Sequence, residues 1–314
     1  MAHARAAGIG RIALGLAALG RPAYINVGRG ELPADRSVEA MRAATWAVLD
    51  EAYAAGVRQV DAARSYGLAE EFLAGWLADR APADVTVSSK WGYAYVGDWR
   101  LDAPVHEVKE HSLTRFRTQW TQSHGLLGDR LTLYQVHSLT EDSPLFDDLA
   151  LQDALAALPV RVGFSTSGPR QAQTVRRALA LERHGERVFT SVQSTWNVLE
   201  RSAGPALMEA HWSGAGVMVK EVLANGRLAV APPGPLAAIA ESNQIRPDAL
   251  ALAVALGQPW VDTVLFGPAG TGQLRSNLAA LTVPPEVVAE ATALTGLVMD
   301  PESYWSDRAA LAWA

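Results

Sequence analysis

The sequence predicts a closed (β/α)8 barrel, because strand-like and helix-like segments alternate eight times along its 314 residues. Such alternation implies a parallel sheet, and eight units in a chain of this length fit a closed barrel better than an open, doubly wound sheet. The open-sheet alternative needs a G-x-G-x-x-G turn after an early strand, and the sequence contains none. No linker, charge block or low-complexity segment divides the units. We therefore expect a single domain over residues 1–314, with an extra C-terminal helix and a tail.

The predicted strands are short apolar or β-branched segments. They span residues 11–16, 59–61, 85–89, 131–136, 160–165, 190–193, 216–219 and 261–266. In barrels of this kind chemistry takes place at the carboxyl ends of the strands and in the loops that follow them. The polar residues after each strand are therefore the candidates for a functional site.

The predicted helices have apolar residues at the spacing of one helical face. They span residues 37–55, 69–77, 105–127, 149–158, 171–183, 205–212, 236–255 and 272–281, with the extra C-terminal helix at 284–297. In the second of them Glu70 and Glu71 fall in the first turn, where the helix dipole favours acidic side chains.

Composition excludes several classes of function. The chain has no cysteine, which excludes disulfides, thiolate nucleophiles, zinc–cysteine sites and iron–sulfur clusters. The formal charge of −6 argues against nucleic-acid and anionic-membrane binding. No apolar run reaches the length that spans a bilayer, and residues 1–20 resemble a secretory signal only weakly, so we expect a cytoplasmic protein. The histidines have no metal-ligand spacing, and we predict no metal.

Four side chains that follow strands 2, 3 and 4 form a chemically coherent set: Asp61, Tyr66, Lys90 and His137. A carboxylate at the barrel mouth needs a cation, which Lys90 can supply to Asp61. A nearby ammonium group also lowers the pKa of a phenol, and an imidazole can donate a hydrogen bond to a substrate oxygen. The set predicts proton delivery to a carbonyl oxygen, or the reverse reaction with an alcohol.

Six motifs in order resemble the aldo/keto reductase family. They are Asp61-Ala-Ala-Arg-Ser-Tyr66-Gly67-Leu-Ala-Glu70-Glu71-Phe-Leu, Ser89-Lys90-Trp91-Gly92, Tyr134-Gln-Val-His137-Ser138, Gly163-Phe-Ser165-Thr166, Val192-Gln193-Ser-Thr-Trp196-Asn197 and Gln273-Leu-Arg-Ser-Asn277-Leu. The resemblance extends over residues 15–281 and looks closest to the branch that oxidises sugars and pyridoxal, which includes L-galactose and L-fucose dehydrogenases. It implies an oxidoreductase that acts on an aldehyde, a ketone or an aldose.

The resemblance also implies residue roles. Tyr66 would be the general acid/base, Lys90 paired with Asp61 would lower its pKa, and His137 would orient the substrate carbonyl. The implied cofactor is NADP(H) or NAD(H), lying across the barrel mouth. Its implied contacts are Gly15, Leu16, Ser165, Thr166, Gln193, Lys220, Leu223, Gly267, Gln273 and Asn277, with the Gly-rich segment 267–272 at a helix N-terminus that favours phosphate.

The sequence departs from the family pattern at two places. Lys220 stands where the family commonly has an aromatic residue beneath the nicotinamide, and Gly267, Pro268 and Gln273 stand where it often reads a 2′-phosphate. The choice between NADP and NAD is therefore open. Lys220 also supports an alternative function, a class I aldolase or lyase in which this amine forms a Schiff base. A non-catalytic barrel that binds nicotinamide is a third hypothesis.

The substrate is expected to be a small molecule, but its identity, like the oligomeric state, cannot be read from the sequence. Tyr93, Tyr95, Trp99 and Trp305 are candidates for lining the substrate pocket. Trp196 is either a further substrate contact or a core residue.

Overall fold

In the computed structural model, which describes residues 8–313, eight parallel strands close into a barrel. They are β1 (Ile12–Gly15), β2 (Gln59–Asp61), β3 (Thr86–Trp91), β4 (Leu131–Leu139), β5 (Arg161–Thr166), β6 (Ser191–Thr195), β7 (Gly216–Lys220) and β8 (Thr263–Phe266). Each strand pairs with the next, and β8 closes the barrel against β1. The predicted (β/α)8 fold is confirmed. The predicted single domain over residues 1–314 and the weak resemblance of residues 1–20 to a secretory signal both include residues outside the described range.

Helices cover the outside of the barrel and continue beyond its last strand. They are α1 (Val38–Ala54), α2 (Ala69–Arg80), α3 (Leu113–Leu127), α4 (Leu149–Ala156), α5 (Gln171–Leu179), α6 (Gly204–Trp212), α7 (Arg227–Val230), α8 (Gly234–Ser242), α9 (Pro247–Leu256), α10 (Thr271–Leu278), α11 (Pro285–Thr292) and α12 (Pro301–Ala309). None of these described helices has the length and apolarity needed to cross a bilayer.

The apolar core has two parts. The larger part lies between the strands and the surrounding helices. The smaller part is a separate cluster of Ala13, Leu133, Met218 and Leu265, which come from β1, β4, β7 and β8. Because β1 and β4 are not neighbours in the sheet, these side chains meet inside the barrel. The barrel is thus filled below its mouth, and any ligand must bind at the mouth itself.

Three predicted helices differ in the structure, two because they are shorter and one because it is divided. The helix predicted at 105–127 begins only at Leu113, where Ser112 caps it, and residues 107–109 instead pair with 93–95 in an antiparallel hairpin. The helix predicted at 171–183 ends at Leu179, and a second small hairpin pairs 182–183 with 186–187. The region 236–255 is two helices, because Pro247 has no N–H to continue a helix and opens α9.

The C-terminal region holds one more helix than expected. The extra helix predicted at 284–297 is α11, which ends at Thr292 and is followed by a 3-10 turn over Thr295–Leu297. Part of what the sequence predicts as a tail is α12, whose Tyr304 is fully buried. Helix α12 is therefore packed against the rest of the protein, and Arg308 near its end lines the cavity at the barrel mouth.

Candidate active site

The four residues predicted to act together meet at the carboxyl ends of β2, β3 and β4. The ammonium group of Lys90 donates to the Asp61 carboxylate and lies 3.4 Å from the Tyr66 hydroxyl. The rings of Tyr66 and His137 are in edge-to-face contact, with centroids 5.4 Å apart. Phenol, amine, carboxylate and imidazole therefore share one small region at the barrel mouth.

Two glycines bring the loop after β1 against the loop that carries Tyr66. Gly67 has a φ of +59°, and a Cβ there would lie 2.4 Å from the carbonyl oxygen of Gly20. A Cβ on Gly20 would lie 2.3 Å from the carbonyl oxygen of Tyr66. Any larger side chain at either position would separate the loops. This close approach also places Arg21 beside the phenol.

The Asp61 carboxylate is buried and accepts hydrogen bonds from more than Lys90. Ser88 Oγ donates to it at 2.6 Å, Gln193 Nε2 at 3.1 Å and Gln135 Nε2 at 3.3 Å. These donors hold the charge of a carboxylate that is only 3% exposed. Asp61 in turn fixes the amine of Lys90 next to the phenol.

The surroundings of Tyr66 keep its phenol protonated. Burial raises the pKa of Tyr66, the charge of Asp61 raises it further, and the nearby Arg21 lowers it. The resemblance implies a lowering by Lys90, but the charge of Lys90 is matched by Asp61 in direct contact. Arg21 is 1% exposed, lies 5.0 Å from the Tyr66 ring and forms an ion pair of 2.9 Å with Glu107.

His137 is held as a neutral imidazole. Burial lowers its pKa well below the usual value, and the positive charges of Lys90 and Lys220 lower it further. Its Nδ1 lies 3.3 Å from Ser65 Oγ. When the Ser65 hydroxyl donates to Nδ1, the single ring proton is on Nε2. This proton is then free to bond to a substrate oxygen.

The end of β7 carries a second group of charges. Lys220 Nζ donates to Thr195 Oγ1 at 2.9 Å and lies 3.5 Å from the Glu221 carboxylate, which Arg308 of α12 binds with two nitrogens. Burial lowers the pKa of Lys220 to about 8. Burial alone would raise the pKa of Glu221, but Arg308 and Lys220 lower it to about 2.

A cavity of about 560 Å³ extends from these groups along the barrel mouth. Asp61, Tyr66 and His137 line one region of it, and the glycine-containing loop after β8 lines another. Among the residues predicted to bind cofactor, those that line the cavity are Gly15, Gln193, Lys220, Leu223, Gly267, Gln273 and Asn277. The cavity thus joins the predicted phosphate-binding segment to the groups that are predicted to transfer a proton.

Three predicted cofactor residues do not line this cavity. Leu16 and Ser165 are fully buried, and Ser165 Oγ accepts a hydrogen bond from the backbone N–H of Ser138. Thr166 is also fully buried, and its hydroxyl bonds to Ser194 Oγ at 2.6 Å. The three buried side chains stabilise the packing at the ends of the strands. Contact between these residues and a cofactor stays a prediction.

The predicted substrate aromatics separate into different environments. Tyr93 lines the cavity, and Trp305 lies near it, with its ring 5.9 Å from Lys220 Nζ. Trp99 packs against Phe72 and donates through Nε1 to a backbone carbonyl, and Tyr95 accepts from the N–H of Trp99. Trp196 is 3% exposed and packs edge-to-face on Trp260, so it is a core residue.

Several cavity residues could not be found from the sequence. They are Arg21, Tyr24, Glu31, Glu107, Arg308 and Trp313. They come from the segment after β1, the 107–109 strand and the C-terminal region. The sequence points to residues that directly follow the predicted barrel strands, and these six are not among them. No local sequence pattern marks these residues, because they reach the cavity through contacts between segments that lie far apart in the chain.

Comparisons with known proteins bear on the family and the fold of the chain. The model of the aldo/keto reductase family matches residues 11–295. An aldo-keto reductase from Bacillus halodurans in its holo form is similar in structure, with a TM-score of 0.68 and 21% identity over 93% of this chain and 94% of that one. A Pseudomonas aeruginosa structure named as an aldo-keto reductase gives 0.60 and 23%, over 90% of each chain.

A second structure from Pseudomonas aeruginosa with the same family name gives a TM-score of 0.59 and 21% identity, over 90% of each chain. At these identities the solved structures show the shared fold alone. No protein of curated function is matched significantly. The family match, which extends over most of the sequence, carries the assignment, and the chain belongs to the aldo/keto reductase family.

Proposed function

We propose that this protein transfers hydride between a nicotinamide dinucleotide and the carbonyl or alcohol carbon of a small polar substrate, with Tyr66 as the general acid/base. Family membership supports NAD(P)-dependent oxidoreduction. The observation that carries the finer assignment is the Tyr66 hydroxyl, 3.4 Å from Lys90 Nζ, at a cavity that also holds His137.

The cavity fits a dinucleotide cofactor, which would supply the hydride. The loop after β8 contributes Gly267, and the buried Asn225 Oδ1 has no hydrogen-bond partner among the described residues. Gln193 would lie beside the nicotinamide, and Gly267 and Asn277 would hold the adenosine half. The Bacillus halodurans structure, which is a holo form, is consistent with such binding.

The residues at the inner end of the cavity can donate or accept one proton. A buried, protonated Tyr66 is suited to donate to a carbonyl oxygen, and neutral His137 can donate a hydrogen bond to the same oxygen. In the reverse direction the phenolate must form, and Arg21 and Lys90 are the cations within reach of its charge. The protonated phenol is the form needed for donation to a carbonyl, and the reverse reaction needs these cations to stabilise the phenolate.

The charged side chains around the substrate end are already paired. Arg21 binds Glu107 and Arg308 binds Glu221, while Tyr24, Tyr93 and Trp313 supply aromatic surface. A neutral substrate with several hydroxyl groups can bond to paired charges and stack on aromatic rings without breaking an ion pair. We therefore propose an aldose or a similar hydroxylated aldehyde or ketone as the substrate class.

The substitution Tyr66→Phe tests the assignment. It removes the donated proton and should lower kcat by about 10²- to 10³-fold, the scale of general acid catalysis. Dinucleotide affinity, measured by calorimetry, should be retained. The matched control is Tyr53→Phe, because the Tyr53 hydroxyl bonds to Asp84 at the surface. Unchanged turnover in Tyr66→Phe would refute the role.

The aldolase alternative rests on the lowered pKa of Lys220, which increases the neutral fraction of its amine. The Schiff base would form at this amine. Trapping with borohydride in the presence of a carbonyl substrate should leave Lys220 unmodified. A trapped adduct on Lys220, without dinucleotide-dependent turnover, would favour a lyase.

A further inference from the structure

An acidic side chain lies at the N-terminus of α10. Glu31 belongs to the segment between β1 and α1, and its carboxylate accepts a hydrogen bond of 3.1 Å from the backbone N–H of Gln273. A Cβ on Gly270 or Gly272 would lie 2.5 or 2.7 Å from its oxygens. The two glycines therefore leave the space that this carboxylate occupies.

The segment that carries Glu31 is hydrogen-bonded both to α10 and to the loop after β7. The side-chain amide of Gln273 donates to the carbonyl of Gly28, and the N–H of Val27 donates to the carbonyl of Asn225 at 2.9 Å. Glu31 itself lines the cavity. The carboxylate is thus held at the end of the groove where the adenosine half would bind.

The arginines near this end already have acidic partners. Arg275 binds Glu51 through two hydrogen bonds of 2.6 and 2.9 Å. Arg246 lies 3.3 Å from Asp248. A phosphate on the adenosine ribose would therefore meet the charge of Glu31, while a ribose hydroxyl could donate to it.

We propose that Glu31 is a specificity-determining residue that makes the protein select NAD over NADP. Its carboxylate accepts a hydrogen bond from a ribose hydroxyl of the adenosine and repels the 2′-phosphate. The proposal rests on the proposed function, which places a nicotinamide dinucleotide in this cavity. A cavity-lining residue, Asn225, adds an independent sign of a ligand, because its Oδ1 is buried and has no partner among the described residues.

The test is calorimetric titration of the native protein and of Glu31→Gln with NAD⁺ and with NADP⁺. The native protein should bind NAD⁺ more tightly. In Glu31→Gln the affinity for NAD⁺ should fall and that for NADP⁺ should rise, so that the preference decreases by about tenfold, the scale of one charged hydrogen bond. The matched control is Glu186→Gln, because Glu186 is exposed in the hairpin that precedes β6, at the other end of the barrel.

Each other outcome has a definite meaning. If Glu31→Gln tightens both dinucleotides equally, Glu31 is a competing anion and the proposal is overturned. If the native protein prefers NADP⁺, the proposal fails while the proposed function stands. If neither dinucleotide binds the native protein, both fail. Thermal unfolding without ligand, which should be the same in all variants, confirms that the fold is intact.

Discussion

At the scale of single residues, Lys220 is the most unusual feature of the site. It occupies the end of β7, where its amine contacts Thr195 and the Glu221 carboxylate. Because the pKa of Lys220 is about 8, its amine loses its charge within a pH range that is accessible to binding experiments. From its position in the family pattern, we propose that this amine lies beside the nicotinamide. Its charge should therefore affect the oxidised ring, which is cationic, more than the reduced ring, which is neutral.

This placement predicts a pH dependence of NAD⁺ binding. Because Lys220 loses its proton as the pH rises through about 8, repulsion of the oxidised nicotinamide decreases and NAD⁺ should bind about tenfold more tightly at pH 9.5 than at pH 6.5. NADH affinity should change much less, and Lys220→Met should remove the dependence for NAD⁺. Titrations at several pH values measure it. Weaker binding of both forms at high pH would instead place the amine beside the pyrophosphate.

At the scale of elements, one buried carboxylate supports the loop that carries Tyr66. Glu70 of α2 is fully buried and binds Arg64 of that loop at 2.7 Å. It also accepts from Ser89 of β3 at 2.5 Å and from Ser123 of α3 at 2.8 Å. The sequence suggested only a favourable position in the helix dipole. In the structure, Glu70 ties a loop, a strand and two helices together.

Removal of this carboxylate should be costly. Glu70→Ala leaves Arg64, Ser89 and Ser123 without a shared acceptor and should lower the free energy of unfolding by about 3 kcal/mol. The matched control is Glu71→Ala, because Glu71 also pairs with Arg64 but is 36% exposed, and its loss should change the stability by less than about 1 kcal/mol. Urea unfolding measures both. Equal effects would show that Glu70 does not brace the loop.

The same scale shows what the sequence can predict. The barrel and the positions of Asp61, Lys90 and His137 follow from local patterns, because each residue lies at or near the carboxyl end of a strand and these ends meet at one edge. The hairpin at 107–109 does not follow, since its partner strand at 93–95 lies across a loop. Glu107 lies in this hairpin and forms an ion pair with Arg21. Contacts between residues far apart in the sequence have no periodic signal, and they complete the site.

At the scale of the whole molecule, the segment after β1 and the C-terminal region meet at the barrel mouth. The segment after β1 contributes Arg21 and Tyr24, and the C-terminal region contributes Arg308 and Trp313. Arg21 lies 4.5 Å from the ring of Tyr24 and 5.0 Å from that of Trp313. The single domain over residues 1–314 and the cytoplasmic location stay predictions.

The ion pair between Arg308 and Glu221, 87 residues apart, should be a major link between α12 and the barrel. Arg308→Met leaves the Glu221 carboxylate buried with Lys220 as its remaining cation, and should lower the free energy of unfolding at pH 7 by about 3 kcal/mol. The folded-state pKa of Glu221 is about 2, below its ordinary value of 4.5, so this stability is complete above about pH 4.5. It is lost as the pH falls toward 2, and the difference between native and variant should shrink there.

Urea unfolding at pH 7 and at pH 3 measures this difference, and the double variant Arg308→Met/Glu221→Gln is its control. Because the double variant removes both charges, it should be more stable at pH 7 than Arg308→Met alone. A loss of stability in Arg308→Met that is equal at both pH values would mean that α12 is held by packing of Tyr304 and Trp305 rather than by the ion pair. Since Lys220 touches the same carboxylate, the variant should also move the pH at which NAD⁺ binding changes, which connects the C-terminal helix to the cofactor end of the site.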